Sequence, residues 1–141
     1  MEPGDIFRHV SFYRNSKTGA LEPKYLLILA TLPSDDIVAR LLTSRPHGRP
    51  ENPRCFHGYP YSGFYLGVIG GPLTAKSWVD LRYLPDLDNI DAEHLVERGV
   101  MTFVASLNGD VLSEALECVA AADDRSQAQE RAIRDVIEWL R

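Results

Sequence analysis

Hydroxyl and cationic side chains are concentrated in one short segment of the chain. Residues 43–49 read Thr-Ser-Arg-Pro-His-Gly-Arg and directly follow an apolar stretch of strand length. Arginine offers planar, forked donors to phosphate oxygens, and a serine or threonine adds a hydroxyl. The segment therefore predicts a phosphate-binding site at the exit of a strand, formed by Thr43, Ser44, Arg45, His47 and Arg49.

A polar loop earlier in the chain carries more cations. Residues 14–23 read Arg-Asn-Ser-Lys-Thr-Gly-Ala-Leu-Glu-Pro, and an apolar run follows. We expect Arg14, Lys17 and Lys24 to border the same phosphate-binding face. The alternative for both segments is a set of turns whose basic side chains keep their charged ends in water.

The metal-ligating residue types are sparse. Cys55 and His57, with His47 nearby, are the only grouped candidates, and zinc sites generally need three or four ligands at recognisable spacing. The pattern favours a loop cysteine and two surface histidines over a metal site. Cys118 lies far from Cys55 in sequence, so we expect two free, buried thiols in a reducing cytoplasm.

The composition is typical of a single globular domain. The chain has 141 residues, 45% hydrophobic and 25% charged, which supports one core and argues against disorder. No apolar run approaches the roughly 18 residues that a membrane span requires. The first residues, Met-Glu-Pro-Gly-Asp, lack the basic and apolar regions of an export signal. We therefore expect a cytoplasmic protein without membrane contact.

The charge is unevenly distributed along the chain. The net charge is −5, but residues 1–57 carry 8 Lys/Arg and 6 Asp/Glu, whereas residues 58–141 carry 7 and 14. An acidic total argues mildly against nucleic-acid binding, although the distribution of charge matters more than the total. The acidic second part is typical of solvated helix surface.

Strand patterns occupy the first three-quarters of the chain, and helical patterns occupy the end. Apolar or alternating stretches predict strands at residues 6–13, 24–31, 37–43, 63–69, 77–83 and 100–105. Helical spacing predicts a short helix at 91–98 and longer ones at 110–122 and 126–140. Residues 44–61 contain four prolines and predict a long loop.

These elements predict one α+β, mainly β, domain over residues 1–141. Short strands separated by Gly/Pro turns favour a small, curled antiparallel β-barrel at about residues 4–105. The helical part, at about residues 108–141, is expected to cover it.

Several short motifs, in this order, resemble the PemK/MazF family of toxins. They are Gly4-Asp5-Ile6, Leu42-Thr43-Ser44 and the run from Ser77 to Asp88, with the helix from Asp110 to Ala121 in the place of the family's closing helix. The likeness covers roughly the first 120 residues, in element order more than in identity, and omits residues 126–141. It implies an SH3-like barrel, a homodimer and metal-independent cleavage of single-stranded RNA. It also implies neutralisation by an antitoxin protein, with no cofactor.

The resemblance also assigns roles to individual residues. Thr43 and Ser44 match a pair that contributes to phosphate binding and catalysis. Asp80 and Arg82 match, in reversed order, an arginine and an aspartate that some members use, and Glu22 stands where the family usually has an arginine. The alternative for Asp80 and Arg82, two apart on one strand face, is a surface ion pair of little energetic value.

With these groups, RNA would be cleaved through a 2′,3′-cyclic phosphate. Asp80 would act as the base and Arg82 as the charge stabiliser, and His47 or His9 would act as the acid, since histidine readily exchanges protons near neutral pH. An aromatic group at Tyr59, Tyr61, Phe64 and Tyr65 is the expected homodimer surface.

Two other functions fit the same fold. One is a non-catalytic toxin or interaction module that binds a protein partner, as in relatives resembling CcdB. The other is a barrel with neither activity, because a fold does not determine a function.

Overall fold

The computed structural model describes all 141 residues and contains one seven-stranded sheet and three helices. In chain order the elements are β1 (Asp5–Arg14), β2 (Leu21–Thr31), β3 (Ile37–Thr43), β4 (Cys55–Phe56), β5 (Gly63–Gly70), β6 (Leu73–Asp80), α1 (Asn89–Glu97), β7 (Met101–Ser106), α2 (Gly109–Ala121) and α3 (Gln127–Leu140). The predicted α+β class, mainly β with C-terminal helices, is confirmed.

The sheet is antiparallel throughout and open. Its strand order is β4-β5-β6-β3-β2-β1-β7, so β4 and β7 form the two edges and do not pair with each other. The closed barrel that we expected is therefore not formed. The proline-rich segment 44–61 supplies only the two residues of β4, and proline lacks the N–H that a ladder needs.

The middle of the sheet contains a narrow seam. β3 and β6 are joined by only two residue pairs, Leu42 with Val79 and Thr43 with Trp78. The seam connects the group β4-β5-β6 to the group β3-β2-β1-β7.

The start and end of β6 differ from the predicted strand at residues 77–83. The tight turn at Gly71-Pro72 lets β6 pair immediately, with Gly70 opposite Leu73. The strand ends at Asp80, whose carboxylate accepts a hydrogen bond from the Arg82 backbone N–H at 3.0 Å. A side chain that bonds the backbone two residues on favours a turn over a continuing strand.

The central strand β2 is buried on both faces, as its continuous apolar sequence predicts. Leu27 and Leu29 belong to a cluster of 20 buried residues that includes the inner faces of α2 and α3. Leu26 and Ile28 point to the opposite face, into a smaller cluster of 7 that includes Ala92 of α1.

Local signals fix the ends of the helices. Asn108 and Ser126 cap α2 and α3 through side-chain oxygens that accept the backbone N–H groups of Val111 and Gln129. Gly99 follows α1 with a φ of 73°, a conformation that glycine adopts without strain. None of the three helices is both long and apolar enough to span a membrane.

Two predictions about side chains are wrong. Cys55 and Cys118 form a disulfide, with an S–S distance of 2.10 Å, because the short β4 lies against α2. Phe64 is 2% exposed and belongs to the core, and Tyr65 is half-buried against Trp78. The predicted aromatic surface is thus reduced to the fully exposed Tyr59 and the half-buried Tyr61.

A buried arginine fastens α3 to the sheet. Arg40 of β3 is fully buried, and burial lowers the pKa of its guanidinium. Its Nη2 donates to the Gln129 side-chain oxygen at 2.8 Å, while its Nε has no partner. Gln129, also fully buried, donates to the Asp86 carboxylate at 2.7 Å and to the Leu84 carbonyl at 3.1 Å. One glutamine therefore links β3, α3 and the segment after β6.

Replacing this glutamine tests the link. Gln129→Met keeps the length of the side chain but removes the acceptor of a buried charged donor, so we expect the free energy of unfolding to fall by about 2 kcal/mol. The control Gln127→Met alters an exposed residue of the same helix and should change it by less than about 0.5 kcal/mol. Urea denaturation measures both, and equal effects would contradict the role given to Gln129.

Candidate functional site: a cationic groove across four strands

A groove of about 700 Å³ crosses four neighbouring strands, from β1 through β2 and β3 to β6. The segment that follows β3 and the turn between β5 and β6 also line it. The lining therefore comes from distant parts of the chain, and the pairing of β3 with β6 brings them together.

Most residues predicted for the site line this groove. They are Lys24, Thr43, Ser44, Arg45, His47, Arg49, Asp80 and Arg82. Arg14 and Lys17 do not line it, because they lie at the exposed end of the β1–β2 hairpin, where Arg14 donates to the Gly19 carbonyl. His9 is also outside the groove and packs edge-on against Phe12.

An ion cluster centred on Asp80 forms one end of the groove. Asp80 is 6% exposed, and its carboxylate accepts from Arg82 Nε at 3.0 Å and from Arg82 Nη2 at 2.7 Å. Arg49 Nη2 lies 3.5 Å from the same carboxylate. Because one carboxylate holds two guanidinium groups, the cluster retains a positive charge.

The cluster fixes the ionisation of its members. Burial opposes the ionisation of Asp80, but hydrogen bonds and charge from Arg82, with the charge of Arg49, outweigh it and hold the pKa of Asp80 below its ordinary value. The hydrogen bonds to Asp80 raise the pKa of Arg82. A carboxylate held in this way is a weak base. Asp80 thus positions Arg82 and is poorly suited to take up a proton.

Arg49 is a structural member of the cluster rather than a free cation. Its side chain is 1% exposed, and it donates through Nε to the Ser62 carbonyl at 2.8 Å and through Nη1 to the Arg45 carbonyl at 3.2 Å. A Cβ atom added to Gly63 would lie 2.5 Å from Arg49 Cδ. The glycine therefore makes room for the arginine, which ties the loop after β3 to β5.

Tyr61 organises the cationic side chains around its ring. The His47 ring stacks on it at a centroid distance of 4.9 Å. The guanidinium carbons of Arg49 and Arg82 lie 5.3 and 5.2 Å from its centroid. Such cation–π contacts attract about 0.5–1 kcal/mol each at exposed sites. The sequence predicts Tyr61 only as part of a homodimer surface, and its position in a proline-rich loop is the one feature that points to a site.

Other side chains in the groove are free to contact a ligand. Arg45, His47 and Ser44 are exposed and form no ion pair. Lys24 lies with its Nζ 5.2 Å from the centroid of the Tyr13 ring, and Tyr13 is 42% exposed. Glu22 is a half-buried carboxylate without an ion-pair partner, unlike Asp80. The groove thus offers cations, aromatic faces and one free carboxylate.

The chain matches no known protein family, no curated protein and no solved structure.

The Asp80 cluster predicts a specific dependence of stability on pH. Because the pKa of Asp80 is lower in the folded than in the unfolded protein, its stabilisation is complete above its ordinary value of 3.8. It is lost as the pH falls through the folded-state value. We therefore expect Asp80→Asn to destabilise the protein near neutral pH, and the difference from wild type to shrink below about pH 4.

Urea denaturation between pH 7 and pH 3 measures this difference. Asp135→Asn is the control, because Asp135 is exposed and forms no ion pair, and it should follow the wild type at every pH. A difference between wild type and Asp80→Asn that stays constant down to pH 3 would show that the carboxylate is not held ionised by the arginines.

Proposed function

We propose that the groove binds single-stranded RNA and cleaves it without a metal ion, and that the protein acts as the toxin of a toxin–antitoxin pair. One observation carries the proposal. A chain with a net charge of −5 collects four Lys/Arg side chains and a histidine in one groove that has only two carboxylates, and one of those is neutralised by arginines.

The groove has the properties that single-stranded nucleic acid requires. Lys24 and Arg45 supply cations for backbone phosphates, and Tyr13 presents a ring on which a base stacks. Proteins that bind single strands combine a basic groove with aromatic faces, and each stacked base contributes about 1–3 kcal/mol. Thr43 accepts the Arg45 backbone N–H through its hydroxyl at 3.1 Å, which shapes the chain where the phosphate would lie.

The free side chains supply the groups for transphosphorylation. In this reaction the ribose 2′-oxygen attacks phosphorus, the bond to the 5′-oxygen breaks, and a 2′,3′-cyclic phosphate forms. Glu22, the unpaired carboxylate, takes the 2′-hydroxyl proton, and His47 gives a proton to the departing 5′-oxygen. Arg82, held by Asp80, stabilises the charge that develops on the phosphoryl oxygens.

These roles differ from those that the sequence predicts in the identity of the base and in the loss of His9, which lies outside the groove, as an alternative acid. Asp80 was expected to be the base, but its lowered pKa and its two arginine partners favour a positioning role. Glu22 stands where the PemK/MazF family usually has an arginine, and it becomes the better candidate for the base. The open sheet lacks the closure of an SH3-like barrel, so the proposal depends on the groove and not on the fold.

A second function uses the same groove without chemistry. Arg45 and Lys24 would bind an acidic segment of a protein partner as readily as they bind phosphates. The ionised, doubly paired Asp80 favours this alternative, because it removes the originally expected base. An antitoxin tail that covers the groove, and a homodimer, belong to both proposals.

Cleavage is tested with single-stranded RNA in the presence of EDTA. Glu22→Gln and His47→Asn each remove one proton-transfer group, and we expect each to slow cleavage by about a hundredfold or more. Asparagine is chosen because His47 has a φ of 47°, which asparagine tolerates better than alanine. His94→Asn, on α1 and outside the groove, is the matched control and should cleave like wild type.

The binding mode is tested by the salt dependence of RNA affinity. Lys24→Ala removes one phosphate contact, so the slope of log K against log salt should fall in magnitude by about 0.7. Lys17→Ala removes a lysine at the exposed hairpin end and should leave the slope unchanged. Equal slopes for the two variants would place the RNA outside the groove.

Expression in a bacterial host separates the two functions. Growth arrest with cleaved RNA, abolished by His47→Asn, supports the nuclease. Growth arrest with intact RNA that persists in His47→Asn replaces it with the protein-binding function. Normal growth with intact RNA contradicts both.

A further inference from the structure

A second group of reactive side chains lies outside the groove, where β4 meets α2. Cys55 of β4 and Cys118 of α2 are bonded to each other, and the exposed His57 follows two residues after Cys55. The His57 Nε2 lies 3.1 Å from Cys55 Sγ and 4.0 Å from Cys118 Sγ. The three ligand atoms lie within 4.8 Å of one another.

These residue types form a ligand set for zinc. Two thiolates and one imidazole are ligands that zinc prefers, at about 2.3 Å for sulfur and about 2.0–2.1 Å for nitrogen. Sulfurs around a tetrahedral ion are roughly 3.8 Å apart by this geometry, so the S–S bond must first be broken. The Cα atoms of the two cysteines are 5.7 Å apart, which is farther than the distance required between the sulfurs.

The position of His57 beside both sulfurs distinguishes this group from an ordinary disulfide. A disulfide needs no third residue, yet the His57 nitrogen faces both sulfurs and makes no other side-chain hydrogen bond. The cluster also joins two elements, since Cys55 lies in β4, His57 directly follows this strand, and Cys118 lies on the buried face of α2. A metal ion there would replace the covalent link between them.

We propose that the reduced protein binds one zinc ion through Cys55, His57 and Cys118, with water as the fourth ligand. A dithiol reduces the disulfide by exchange: it gives two electrons and two protons to the cysteine sulfurs and becomes a cyclic disulfide. Zinc then binds the two thiolates, and both thiol protons pass to solvent. Cys55 and Cys118 are thus joined either by the disulfide, in the oxidised protein, or by the zinc ion, in the reduced protein. The site is independent of the function proposed for the groove.

Cobalt titration of the whole protein tests the proposal. The protein is reduced with a dithiol, desalted without oxygen and titrated with Co²⁺, whose thiolate complexes absorb in the near ultraviolet. We expect one Co²⁺ per chain, displacement of Co²⁺ by Zn²⁺, and no cobalt–thiolate absorption when Co²⁺ is added to the oxidised protein. Zn²⁺ should also raise the melting temperature of the reduced protein, because a ligand that binds only the folded state stabilises it.

Variants show whether the three residues act together. His57→Ala should weaken Co²⁺ binding by about a hundredfold, since loss of even an outer-shell partner weakens metal affinity by about 10- to 100-fold. His94→Ala is the matched control and should bind like wild type.

Three results would overturn the proposal. The first is a reduced protein that does not bind Co²⁺, and the second is equal affinity in His57→Ala and wild type. The third is a reduced chain that stays unfolded when zinc is added, because metal bound to scattered thiols of an unfolded chain is not this site.

Discussion

The groove depends on one carboxylate. Asp80 ends β6, holds Arg82 in a forked pair and faces Arg49, whose other donors fix the loop after β3. A buried carboxylate without these partners would lose its charge, and the buried Arg49 without Asp80 would have no counterion. The same interaction therefore shapes the backbone, sets the charge of the groove and holds the arginine nearest to the proposed chemistry.

A second buried cation, Arg40, attaches α3 to the sheet. Arg40 and Gln129 join β3 to α3, and the segment after β6 is joined to both through Asp86. The two arginine networks therefore have different roles. The network of Arg49 and Arg82 around Asp80 forms part of the groove, and the network of Arg40 attaches α3 to the sheet. Helix α3 is thus an integral part of the domain, with Ile133 and Ile137 fully or almost fully buried.

Local signals in the sequence predicted most of the fold but not its closure. The three strands before residue 44 and the two C-terminal helices were correctly located, because apolar runs, glycine turns and helix caps act over a few residues. The disulfide and the open sheet depend on which distant elements meet, and no local pattern contains that information. The same limit applies to the site. Its cations could be predicted from their residue types. The presence of Tyr61 and Glu22 in the groove, and the absence of Arg14 from it, depend on the strand pairing.

The narrow seam between β3 and β6 has a mechanical consequence. Only two residue pairs join β3 to β6, whereas the ladders of β2 with β3 and of β5 with β6 are longer, and the groove lies across this junction. Because residues of both β3 and β6 line the groove, its width is set by how these two strands meet. Leu42 and Val79, from the two sides of the seam, belong to one buried apolar cluster, so this packing holds the two walls of the groove together where the ladder is short.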